Sequence, residues 1–175
     1  MATTTLRPDS TLSADNWSVA DASNPGVIND SDDATIVYNT AGNQAMTLTL
    51  DMPVSNIDTV TSITPVIRCR RGGKGSMSFT ITVEGSSATY INAEAFSTTA
   101  ASLTTLTGNT TSVSFGSTEA NSLRMVLTGT GSTQGFFADV SFTIVYSEST
   151  PGDAVIRVES GKLQLSTGKI IILTA

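Results

Sequence analysis

The side chains able to do chemistry are few, and they fall into three groups. The first is Asn29-Asp30-Ser31-Asp32-Asp33, where Asp30, Asp32 and Asp33 crowd three carboxylates into four positions. Hard cations want several oxygen ligands from one loop, so a calcium site is the functional reading. An EF-hand loop is excluded, because the central glycine and closing glutamate are missing; the plainer reading is a solvated acidic turn. The second is Arg68, Arg70, Arg71 and Lys74, four of the nine basic residues, beside Gly72-Gly73 and Gly75. Such a tip would meet an acidic partner surface, or simply keep a hairpin soluble. It is not a phosphate loop, since the spacing is wrong and the turn joins two strands. The third is Trp17, Tyr38, Tyr90, Phe136 and Phe137, from which a sugar-stacking platform would be drawn, although in alternating strands aromatics more often fill the core.

Catalysis finds little support. There is no histidine, so Ser-His-Asp and Cys-His arrangements are impossible. Asp51, Asp58, Glu84, Glu94, Glu119, Asp139 and Glu148 supply carboxylates for a glycosidase pair, but nothing in the sequence brings two of them together. The expectation is a protein that is not an enzyme and has no cofactor, calcium excepted. The single cysteine, Cys69, rules out an internal disulfide. A net charge of −6 argues against nucleic acid, and no apolar run is long enough to span a membrane. The start shows no basic-then-apolar signal, so Asn16-Trp17-Ser18, Asn29-Asp30-Ser31 and Asn109-Thr110-Thr111 read as chance matches to the glycosylation pattern.

These groups must be carried by strands. Phe137–Tyr146 alternates, with Ala138, Val140, Phe142, Ile144 and Tyr146 on one side and Asp139, Ser141 and Thr143 on the other, which marks a strand with one buried face. Met77, Phe79, Ile81 and Val83 alternate likewise with Ser78, Thr80 and Thr82. Strands are also expected at 34–38, 45–51, 58–70, 90–96, 103–106, 111–115 and 122–128, with Pro65 marking an edge or a bulge. Residues 92–103, rich in alanine, are the one place where a short helix would fit. Arg7-Pro8-Asp9-Ser10 reads as a turn, followed by an irregular arm. Ser and Thr make up 52 of the 175 residues, a composition suited to half-exposed pleated surfaces.

The fold class expected is therefore all-β: an antiparallel β-sandwich of jelly-roll type over 34–149, preceded by an arm over 1–33. An immunoglobulin-type sandwich is the competitor, without its Cys-Trp-Cys landmark. Residues 150–175 form a short-stranded β extension, with strands at 154–159, 162–166 and 169–173 punctuated by Ser160-Gly161 and Thr167-Gly168. Ile170, Ile171, Ile172 and Leu173 are apolar on both faces, so this end either packs on its own body or is covered by another subunit.

Leu6-Arg7-Pro8-Asp9, Trp17 in a polar segment, Ile28-Asn29-Asp30, and Asp32-Asp33-Ala34-Thr35 before a strand together resemble the start of jelly-roll virion structural proteins of tailed bacteriophages, both head decoration (cement) proteins and tail or fibre adaptors. The likeness covers about the first forty residues. It implies a non-enzymatic virion protein, made in the host cytoplasm and placed on the particle surface. There it would bind other virion proteins such as the major capsid protein, as a homo-oligomer with a trimer favoured. Residues 170–173 and the basic tip would supply contacts. The alternative is a receptor- or carbohydrate-binding module associated with a tail or fibre.

Overall fold

A computed structural model describes residues 1–14, 17–19, 37–39, 44–131, 133–149, 153–159, 162–166 and 169–170, with side chains for 1–9, 44–131 and 133–149. Asp30, Asp32, Asp33, Ile171, Ile172 and Leu173 lie outside the described residues.

Alternation builds the strands. In β4 (Ala45–Asp51) Met46, Leu48 and Leu50 are buried, and in β6 (Met77–Glu84) Met77, Phe79, Ile81 and Val83 are buried, while the intervening residues are not. β5 (Ile57–Arg71) and β11 (Gly135–Glu148) are the longest pair, antiparallel over almost their whole length. The outer edge of β5 is shared by β8 (Thr104–Thr107) and β9 (Thr111–Phe115). On its other side β11 pairs with the start of β1 (Ala2–Ala14) and with β3 (Val37–Asn39), and β3 pairs with β2 (Trp17–Val19). The second sheet runs β1, β4, β10 (Arg124–Gly129), β6, β7 (Thr89–Thr98), all antiparallel.

The two sheets face one another across a common core. Phe79 of β6 meets Phe137 of β11 edge-on, with ring centroids 5.0 Å apart, and Leu6, Ile63, Ile67, Phe142 and Ile144 are fully buried around them. The chain is an all-β antiparallel sandwich of jelly-roll type, as the alternation predicts.

Several local expectations are corrected. Arg7-Pro8-Asp9-Ser10 is not a turn and residues 1–14 are not irregular: β1 runs straight through, pairing Leu6 with Phe142 in one sheet and Arg7 with Asp51 in the other. The proline marks where the strand changes sheets, with a register shift between Pro8 and Ser10. Residues 92–103 hold no helix, because Phe96 is needed on β7 to stack on Phe79 at 5.2 Å. The helix is α1 (Ser117–Ala120), in the expected loop. Pro65 is not on an edge strand. It stands between the β5 residues paired to β8 and those paired to β9, where its missing N–H disrupts no ladder, and its carbonyl accepts from Gly108 N at 2.9 Å.

After the body come β12 (Asp153–Glu159), β13 (Lys162–Ser166) and β14 (Lys169–Ile170). Their sheet has the order β13-β12-β14, with β12 antiparallel to β13 and parallel to β14.

Candidate functional site

A regular surface is the outward side of β4, β10, β6 and β7. Because inward positions are apolar, period-two alternation sends threonine outward on three neighbouring strands. Register aligns them in rows: Ala45, Thr128, Thr80 and Ala95, then Thr47, Val126 and Thr82, then Thr49, Arg124 and Glu84. The last row is closed by an ion pair, Arg124 Nε to Glu84 Oε1 at 2.8 Å. The first two rows carry no charge. Thr82 Oγ1 accepts from Ala93 N at 3.1 Å. Among the described residues the hydroxyls of Thr47, Thr80 and Thr128 have no protein partner, and all three residues are partly exposed.

The basic tip is not assembled as one free patch. The Arg70 guanidinium lies 4.1 Å above the Phe136 ring. Arg71 Nε donates to Thr99 O at 2.7 Å and its Nη1 donates to Gly73 O, so this arginine ties the hairpin to the β7–β8 connection. Arg68 stands opposite Asp139 in register, and Asp139 Oδ1 accepts from Arg7 Nη1 at 3.1 Å. Lys74 is exposed in the turn.

Nor do the described aromatics form a stacking platform. Phe137 is core rather than platform, because a bulge between Phe137 and Asp139 turns it inward. Phe136 is capped by Arg70 and crowds Gly72, where a Cβ would collide with its ring. Tyr90 packs on Phe115 at 4.4 Å and donates its hydroxyl to Glu119 Oε1 at 2.9 Å. Trp17 and Tyr38 are described only as strand residues, Tyr38 opposite Phe136.

Five of the seven carboxylates, those of Asp58, Glu84, Glu94, Glu119 and Asp139, are already engaged. Glu94 Oε1 accepts from Asn109 N at 2.6 Å and Nδ2 at 2.9 Å, and Asp58 Oδ2 accepts from Ser147 Oγ at 3.2 Å. Glu119 escaped sequence reasoning as anything but a generic acid. It accepts from Ser86 Oγ, from Ser87 N and Oγ, and from Tyr90 Oη. The Ser86 hydroxyl first, then the Ser87 amide, holds its carboxyl down at about 2, against some desolvation. Desolvation raises the Tyr90 phenol, and burial pushes the Cys69 thiol up to about 12. Among the described residues there is no pocket and no cluster of three or more metal-ligating side chains.

No family model matches the sequence, and no curated protein matches it. Solved structures do share the fold. The CBM36-1 domain of a multidomain xylanase from the hindgut metagenome of Trinervitermes trinervoides superposes with a TM-score of 0.50 at 11% identity, over 83% of this chain and 98% of that one. The C-terminal CBM6 of LamC from Zobellia galactanivorans has a TM-score of 0.48 at 11% identity, over 82% of this chain and 100% of that one. A carbohydrate binding module from Cellvibrio mixtus lichenase 5A, in complex with cellotriose, has a TM-score of 0.43 at 11% identity, over 84% and 97%. At 11% identity what the first of these shares is the sandwich itself.

Proposed function

We propose that this chain is a non-catalytic carbohydrate-binding β-sandwich module that holds a neutral polysaccharide against the outward face of β4, β10 and β6. The observation that carries this reading is the uncharged pair of rows, where Thr47, Thr80 and Thr128 keep hydroxyls that no protein group uses among the described residues. A neutral glycan brings donors and acceptors to such a face without burying charge, and its C–H surface meets Val126 and the threonine methyls. Each hydrogen bond exchanged for water is worth about 0.5–1.5 kcal/mol net, so binding is weak per sugar and grows with chain length. Neighbouring strands lie about 4.8 Å apart, so a chain along the first row meets Thr128 and then Thr80, with Thr47 one row away on β4. The fold shared with the xylanase CBM36-1 domain is compatible with this role.

Retention on insoluble cellulose, xylan and chitin tests the reading. The wild-type chain should be retained on at least one of them, and equally in high salt, because no charge is involved. Thr80→Arg and Thr128→Arg should each weaken retention at least about tenfold, the scale of losing one well-made contact of about 1.4 kcal/mol. Thr143→Arg, on the outward side of the other sheet, should not. Passage of the wild type through all three supports unretained would sink the reading.

A second reading, a structural protein of a bacteriophage particle such as a capsid decoration protein, is favoured by β12–β14. Among the described residues these strands pair with one another and with no strand of the body, as an assembly appendage would. Binding of the purified chain to undecorated capsids, combined with silence on every glycan support, would favour it.

A further inference from the structure

The third row of the outward face differs from the first two. Thr49, Arg124 and Glu84 stand side by side on β4, β10 and β6, and the Arg124–Glu84 ion pair is closest at Nε and Oε1, 2.8 Å apart. Among the described residues neither side chain makes a further hydrogen bond. The two terminal guanidinium nitrogens are left as donors and Glu84 Oε2 as an acceptor. The side chains are 48% and 28% exposed, on the same surface as the threonines. Successive outward residues of a strand lie about 7 Å apart, so the pair stands one step beyond Val126 and Thr82.

An arginine can only donate and an ionised carboxylate can only accept. Two hydroxyls on neighbouring carbons of a sugar ring match such a pair, because one oxygen accepts from the guanidinium while the other hydroxyl donates to Oε2. An isolated hydroxyl engages only half of it. The ion pair already holds the guanidinium plane, which reduces the freedom lost on binding. An anionic ligand fits less well, since the Glu84 carboxylate that steadies Arg124 would repel it. The pair has no net charge, so its complement is neutral and polar.

We infer that Arg124 and Glu84 are the specificity-determining residues of the carbohydrate face, a clamp for the vicinal diol of a neutral sugar. The inference rests on the polysaccharide reading and narrows it to glycans that keep two adjacent ring hydroxyls free on each internal sugar. Cellulose and xylan keep such a pair. In curdlan, another glucan, the linkage falls between the free ring hydroxyls, and in chitin an acetamide replaces one of the two.

Retention of the full chain on cellulose, xylan, curdlan and chitin tests it. The wild type should be held about tenfold more tightly on cellulose or xylan than on curdlan or chitin, the scale of one well-made hydrogen bond. Arg124→Gln and Glu84→Gln should each bring that ratio close to one. Arg124→Lys, which keeps the charge and loses the planar fork, should do the same. Breaking an exposed ion pair has little effect on folding, so an unchanged thermal transition shows that each variant is intact. A wild type held equally on all four supports, or more tightly on curdlan or chitin, would overturn the clamp and leave the polysaccharide reading standing. So would an Arg124→Lys chain with the wild-type ratio. A wild type held on none of the four would overturn both.

Discussion

Tyr90 Oη donates to Glu119 Oε1 at 2.9 Å, joining the start of β7 to the short helix α1. The same carboxylate takes Ser86 and Ser87 from the β6–β7 turn, so one acidic side chain holds both ends of a loop connection. Gly85 is part of the arrangement, since a Cβ there would run into the Glu119 carboxylate.

This latch has a definite pH dependence. The folded-state pKa of Glu119 is depressed, from 4.5 to about 2, so its stabilisation is complete above about pH 4.5 and is lost as pH falls toward 2. Glu119→Gln should melt a few degrees below wild type at pH 7, and the two curves should converge as pH drops through that window. Melting temperatures recorded from pH 7 to pH 2 check it; a gap constant with pH would contradict the electrostatic origin.

Ala93 occupies the left-handed region with φ 49°, within the bulge where β7 loses register with β6. An L-residue there is strained by about 1–2 kcal/mol. Ala93→Gly relieves this but adds freedom to the unfolded chain, for a net gain of about 0.5–1 kcal/mol. Urea denaturation should show a higher midpoint with an unchanged slope.

Gly135 opens β11 against Met77, where a Cβ would collide with the Met77 sulfur. Gly135→Ala forces the two sheets apart at that end and should cost about 1–3 kcal/mol, the usual range for overpacking. Gly73→Ala, where the nearest atom to a Cβ is Thr133 Cγ2 at 3.9 Å, should be close to neutral. Parallel denaturation curves for the two variants give the comparison.

Cys69 is fully buried between the sheets, and its thiol is pushed up to about 12. A thiol-reactive dye at pH 8 should leave the native chain unmodified and label one site per chain once the protein is unfolded. Rapid labelling of the native state would mean that the core opens on the timescale of the reaction.

Much of this could be read directly. Met77, Phe79, Ile81 and Val83 alternate with polar neighbours, and all four are buried, because alternation is a property of one strand alone. The missing histidine, likewise, settled which kinds of catalysis are open. What escaped were relationships between strands. Phe136 and Phe137 look equivalent in the chain, yet a bulge after Phe137 sends it to the core and leaves Phe136 under Arg70. Arg71 looks like a free tip cation, yet it binds Thr99 O, a partner 28 residues away.

By itself the sequence determined that the chain is built of β-strands, which positions face inward, and that the outward positions are hydroxyls more often than charges. Only tertiary structure decided that Leu6 and Arg7 join different sheets, that threonines of β4, β10 and β6 fall into shared rows, and that Ala154, Ile156 and Val158 stand opposite apolar residues in register. The reason is physical: alternation is local, while register joins residues far apart in the chain, and a slip of one residue would exchange the two faces of a strand.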